Sequence, residues 1–241
     1  MSEAAPKGGL YGKAPAFGDF VVRRLPSSFV RPWDDWLSRS LAASRQQIGE
    51  GWTHAYLSSP PWRFALDPGL AGATGWLGVL ASSIDQVRRC YPITVAIPLP
   101  AGMRLTGVSG DLDPVARDLE ATALQLIGGE VAPDEAADRI AAAARSLASS
   151  LFRGSRFSLP GVARLQTGVR YPSLATMATD LDWDGDEAKR AAPAASAWWH
   201  EPWSGTLAAN LLCVGLPGPD IFASMLDGLW QGRGWLEETA Q

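Results

Sequence analysis

Apolar positions along the chain fall into two kinds of pattern, and each predicts a different element. At helical spacing, Trp33, Trp36, Leu37, Leu41 and Ile48 form one stripe, with Pro32 at a first helical position and Gly49 as the stop. A second stripe (Val115, Leu119, Leu126, Ile127) follows Asp113-Pro114 as N-cap and first residue and ends at Gly128-Gly129. A third opens at Pro133 and carries Ile140, Ala144, Leu147 and Leu151, with Gly154 beyond it. A fourth starts at Gly218-Pro219, where Ile221, Phe222, Met225, Leu226, Leu229 and Trp230 make a wide apolar face. Short apolar runs predict strands near residues 54–57, 62–66, 75–80, 93–99, 195–199 and 207–214. Pro60-Pro61 is a tight link between the first two, which favours an antiparallel hairpin.

The order of these elements (helix, strands, two helices, strands, helix) implies an α/β or α+β fold around a mixed sheet. The tryptophans support it. Of the 11, five lie from Trp33 to Trp76 and six from Trp183 to Trp235, with none between Leu77 and Asp182. Two aromatic-rich segments are therefore expected to share one sheet-based core, with an Ala-, Leu- and Arg-rich helical layer between them in sequence. Most of the tryptophans are expected to line that core.

Composition narrows the class further. A chain of 241 residues with 46% hydrophobic and 19% charged residues can bury a sizeable core and is not disordered. A formal net charge of −4 argues against nucleic-acid binding through bulk electrostatics. The start, residues 1–9, lacks the apolar segment of a signal peptide. The longest apolar run, residues 93–99, is interrupted at Pro98 and is far short of the roughly 18 residues of a membrane span. Cys90 and Cys213 are isolated and are expected to be buried free thiols. These features predict a cytoplasmic protein without stable membrane insertion.

Familiar chemical motifs fail at specific positions. Gly12-Lys13 would need Gly at position 7, which is Lys7, and Ser or Thr after the Lys, where Ala14 stands, to bind a nucleotide phosphate. Asp180, Asp182, Asp184 and Gly185 open like a calcium loop, but the twelfth position is Ala191 in place of a bidentate Glu. His54, His200 and the two Cys have no zinc-ligand spacing, and Gly107-Val108-Ser109-Gly110 stops short of a hydrolase elbow. No metal or cofactor is expected.

Two segments are richer in polar residues than a plain core needs. One runs over residues 11–20 and holds Lys13 and Asp19; the other runs over residues 82–92 and holds Ser83, Asp85, Arg88 and Arg89. Turn chemistry accounts for the first, with Pro15 and Gly18 shaping the backbone and Asp19 capping it. A single helical turn capped by Ser82 or Ser83 accounts for the second, and it places Asp85 and Arg89 at i, i+4 on one face. The other reading is functional: Lys13, Asp19, Ser83, Asp85, Arg88 and Arg89 form one exposed, mixed-charge patch that binds a partner.

These segments also carry a resemblance. Gly12-Lys13-x-Pro15-x-x-Gly18-Asp19-Phe20 resembles the N-terminal signature of the TagF family, accessory proteins of bacterial type VI secretion systems. Trp33 and Trp36, Trp62-Arg63-Phe64, and Trp76-x-Gly78-Val79 leading into Ser83-x-Asp85-x-Val87-x-Arg89-x-Tyr91-Pro92-x-Thr94 fit the same pattern, as does Trp198-Trp199. One position departs from it. The family usually has Gly before the Arg of the second motif, and this chain has Arg88, which puts a tight turn there in doubt.

The resemblance implies a single TagF-like domain over residues 1–241: a sandwich around a mixed or largely antiparallel sheet flanked by helices, longin-like in kind. Within it, residues 1–9 would be a flexible N-terminus, 113–154 the helical layer and 180–194 a surface loop. It implies a non-enzymatic protein that represses assembly of the secretion apparatus after translation by binding its forkhead-associated scaffold protein. Two other readings stay open. One is a small hydrolase-like enzyme using Ser83, Asp85 and Arg89; the other is a structural component of the apparatus.

Overall fold

Antiparallel pairing dominates the architecture. In the computed structural model, which describes residues 7–18, 20–101, 103, 112–150, 169–171 and 194–237, one nine-stranded sheet runs through the described residues. In chain order the strands are β1 (Gly9–Lys13), β2 (Phe20–Arg23), β3 (Trp62–Leu66), β4 (Trp76–Ala81), β5 (Ile93–Pro98), β6 (Val169–Tyr171), β7 (Ala195–His200), β8 (Ala209–Val214) and β9 (Leu236–Glu237). Their spatial order is β2-β1-β5-β4-β3-β7-β8-β6-β9, and only β6 and β9 are parallel. The α/β sandwich around a largely antiparallel sheet is thus the observed fold.

Helices cover both faces. On one lie α1 (Ser27–Ile48), α2 (Trp52–Ser58) and α5 (Ala223–Asp227); on the other lie α3 (Asp113–Gly128) and α4 (Pro133–Ser150). Because successive side chains point to opposite faces of a strand, each strand feeds both layers. In β4, Trp76 and Leu80 join the α1 layer while Leu77 and Val79 join the α3–α4 layer. Strands buried on both sides read as continuous apolar runs, which is why β3, β4, β5, β7 and β8 are visible in the sequence.

Among the described residues, nine tryptophans are buried: Trp33, Trp36, Trp52, Trp62, Trp76, Trp198, Trp199, Trp230 and Trp235. Trp33 sits at the centre of the α1 layer, against Phe29, Trp36, Phe64 and Trp198. Its indole N–H donates to Thr94 Oγ1 at 2.8 Å. Both cysteines are free; Cys213 is buried and Cys90 half-buried.

Several sequence expectations are corrected. Residues 54–57 are helical, within α2, so no hairpin forms across Pro60-Pro61. Trp52, Ala55 and Tyr56 are the buried positions there, at i, i+3 and i+4, and that helical period decided the outcome over apolarity alone. The first helix begins at Ser27, and Pro32 lies inside it. The fourth is a short helix, α5, ended by Gly228 with φ 70°, and Leu229 is exposed. Leu112, not Asp113, occupies the N-cap of α3, and the Asp113 side chain is used elsewhere. Gly9 is the first residue of β1, and residues 1–6 lie outside the described residues. Leu151, Gly154 and residues 180–193 lie outside the described residues.

Candidate functional site

The two polar segments meet where β1 reaches the hairpin ahead of β5. β1 pairs with β5 in the register Gly12↔Ile93, which sets Lys13 beside the residues that lead into that strand. The approach is close enough to require glycine. Gly12 has φ 135°, and a Cβ built on it would lie 2.0 Å from the Pro92 carbonyl oxygen.

Residues 82–92 form a β-hairpin, not the helical turn expected from the sequence. Ile84 bridges Cys90 in antiparallel fashion, and Tyr91 N–H donates to Ser83 C=O. Arg88 N–H donates to Asp85 C=O, and Asp85 N–H to Arg89 C=O. Arg88 stands at the left-handed position with φ 63°. A turn followed by one left-handed residue is the usual three-residue hairpin loop, and it prefers glycine there. The tight turn therefore forms despite the side chain at Arg88.

Asp85 organises this loop. Its Oδ1 accepts from the N–H groups of Val87 (3.1 Å) and Arg89 (2.7 Å). Its Oδ2 accepts from Lys13 Nζ (2.8 Å) and Arg89 Nε (2.6 Å). Burial raises the carboxyl's pKa, but the bonds from Lys13 and from Arg89's amide and guanidinium outweigh it. The net effect holds Asp85 well below the usual carboxylate range. Lys13 Nζ also reaches Arg89 C=O at 3.4 Å and lies 5.4 Å from the centre of the Phe20 ring. Ser83 Oγ donates to Lys13 C=O at 2.7 Å, and Tyr56 Oη donates to Ser83 C=O at 2.7 Å.

The expected exposed patch is thus divided by depth. Lys13 (4% exposed), Ser83 (2%) and Asp85 (3%) are buried, because each has its polar atoms matched within the protein. Arg88 and Arg89 reach the surface, and the Arg89 side chain is 61% exposed. Asp19 lies outside the described residues.

Two further polar clusters escaped the sequence reading. In the first, Tyr11 Oη (2.7 Å) and Tyr91 Oη both donate to Asp34 Oδ1 on α1. Burial and then the Asp34 bond raise both phenols, Tyr11 to about 12. In the second, Arg63 on β3 is buried and pairs with Asp113 (2.9 Å) and Glu120 (2.7 Å) of α3, with Glu201 at 3.8 Å. Asp113 also receives Trp199 Nε1 at 2.8 Å and Arg117 Nε at 2.7 Å, and Arg117 pairs with Glu201. Burial raises Asp113, but the Trp199 and Arg117 bonds and the Arg63 charge bring it below its ordinary value. The available signal was a single charge in an otherwise apolar strand, Trp62-Arg63-Phe64-Ala65-Leu66. Asp34 gave no signal, since a carboxylate on a helix is ordinary surface.

Among the described residues, no group of three or more His, Cys, Asp or Glu is placed to hold a metal ion, and no helix is long and apolar enough to cross a membrane. A comparison with curated proteins returns no match. Among solved structures, PA0076 from Pseudomonas aeruginosa PAO1 is similar at 33% identity and a TM-score of 0.65, covering 92% of this chain and 94% of that one. Residues 9–143 match the TagF N-terminal domain, described as type VI secretion system-associated, a span that holds β1 to β5, the Lys13–Asp85 junction and most of the α3–α4 layer. This chain belongs to the TagF family of type VI secretion system-associated proteins.

Proposed function

We propose that this protein is a non-enzymatic, cytoplasmic repressor of type VI secretion, acting after translation by binding the forkhead-associated scaffold protein and so blocking assembly of the apparatus. The observation that carries the reading is the family match over residues 9–143. The polar chemistry inside that span supports it. Ser83 donates its hydroxyl proton to a backbone carbonyl, and Asp85 is engaged by Lys13 and Arg89. Neither is offered to a substrate in the way an activated nucleophile and its base would be.

In this reading the five described polar residues divide their work. Lys13, Ser83 and Asp85 hold the hairpin against β1 with Arg89 bonded to Asp85, and the exposed Arg88 at the tip is the group that meets a partner. The test is direct binding. Purified protein is mixed with the purified scaffold protein and followed by calorimetry, with an Arg88→Glu variant beside it. Binding by the wild type that the variant loses supports the reading, and absence of any binding by the wild type overturns it.

A further inference from the structure

β2 ends the sheet, and among the described residues no strand pairs with its outer side. Its side chains alternate. Val21 is buried against the α3–α4 layer, whereas Phe20 and Val22 face the other way, past the cover of α1, and each keeps 45% of its surface exposed. No proline or bulge guards the strand; it is four residues long, and Arg23 Nη1 donates to the Val22 carbonyl at 3.0 Å, so a part of the edge is already bonded.

Asp34 is linked to this strip through two tyrosines. The two tyrosine rings whose hydroxyls hold it pack on Phe20, with centroids 5.7 Å (Tyr11) and 4.7 Å (Tyr91) from the Phe20 ring. Both hydroxyls donate to the same carboxylate oxygen, and among the described residues no cation pairs with Asp34. A carboxylate with no cation partner among the described residues is thus joined, through Tyr11 and Tyr91, to an exposed apolar strip on a strand edge that no other described strand pairs.

We propose that β2 accepts an extended segment of a partner protein as an added strand, with apolar side chains covering Phe20 and Val22 and a Lys or Arg meeting Asp34. Backbone bonding to the edge supplies affinity, and the side-chain positions supply selectivity. A second copy of this chain is a poorer fit. Its β2 would bring Phe20 and Val22 to this face, and the neighbouring cations, Arg23 and Arg24, are engaged by Asp134 and Asp138. The inference rests on the function proposed above only for the identity of the partner.

The test uses the full chain and the purified scaffold protein. Hydrogen exchange is followed with and without scaffold, and affinities are compared for wild type, Val22→Asp and Asp34→Asn. The expected result is new protection at residues 20–24 on binding, with Val22→Asp weakened at least about tenfold. Asp34→Asn keeps an acceptor for both tyrosines, and its binding is expected to be weaker and less salt-dependent. If Val22→Asp does not fold, the exchange pattern and Asp34→Asn decide. If the wild type binds while both variants bind equally well, or protection appears elsewhere, this inference falls and the function stands. Protection of β2 that grows with the protein's own concentration would make a second copy the occupant and overturn it. If the wild type binds no scaffold, both fall together.

Discussion

Lys13 and Asp85, 72 residues apart in sequence, form a 2.8 Å ion pair in which both side chains are buried. The pair joins the end of β1 to the hairpin ahead of β5. Removing either partner leaves the other charge buried and unmatched, and that is far costlier than losing an exposed pair. Lys13→Ala and Asp85→Ala are therefore expected to lower Tm more than Arg89→Ala, whose side chain is largely exposed. The Lys13→Met, Asp85→Leu double variant should recover part of the loss. Asp85 titrates lower in the folded chain than in the unfolded one, so its contribution is complete above pH about 4 and is lost as the pH falls below that. Thermal unfolding of the four variants, in neutral and acid buffer, checks both statements.

Arg88→Gly is expected to stabilise the protein. An L-residue at φ 63° costs about 1–2 kcal/mol, and the extra freedom of glycine in the unfolded chain returns part of that. The net gain is on the order of 0.5–1 kcal/mol, read from a denaturant midpoint at unchanged m-value. Arg88→Val should move the midpoint the other way, because a β-branched residue is worse at this backbone angle.

Arg63→Ala should be among the most damaging single changes in the chain. It leaves Asp113 and Glu120 partly buried without their shared cation, at a cost of about 3–5 kcal/mol. Since α3 is tied to β3 by these pairs, exchange protection in α3 is expected to fall first. A loss below about 1 kcal/mol would contradict the structural role assigned to the network.

His200 gives the protein a second pH dependence. Burial lowers its pKa, and Arg63 and Arg170 add to that effect against the opposing bond to the Glu201 carbonyl. Its ring also packs edge-on against Trp62 at 4.4 Å. A histidine held neutral contributes stability that is complete above its unfolded value of about 6.5 and lost as the pH falls through the lower folded value. Melting curves between neutral pH and about pH 5 should show the decline, and His200→Phe should flatten it.

How much of this was legible depended on whether burial left a trace in residue type. β3, β4, β5, β7 and β8 are covered on both faces, so their runs are apolar throughout and their positions could be read within two residues. β1 and β2 left no such trace. Gly9-Leu10-Tyr11-Gly12-Lys13 is interrupted by glycines that close backbone contact demands, and β2 exposes alternate residues at the sheet edge. The polar segments were found, yet their depth was misjudged. Nothing in a single sequence says that Lys13 has Asp85 to neutralise it, and an unpaired lysine would have to be at the surface. Arg63 shows the same effect from the other side: its partners come from α3, some 50 residues later.

Repression is read from effector release into the medium by the intact secretion system, measured in a strain lacking this protein and in one overproducing it. Repression predicts that deletion raises release and that overproduction abolishes it. An Arg88→Glu variant, which leaves the Lys13–Asp85–Arg89 contacts in place, should no longer silence the system. Deletion that stops release would contradict the account, because it would make the protein a working part of the apparatus instead of its brake.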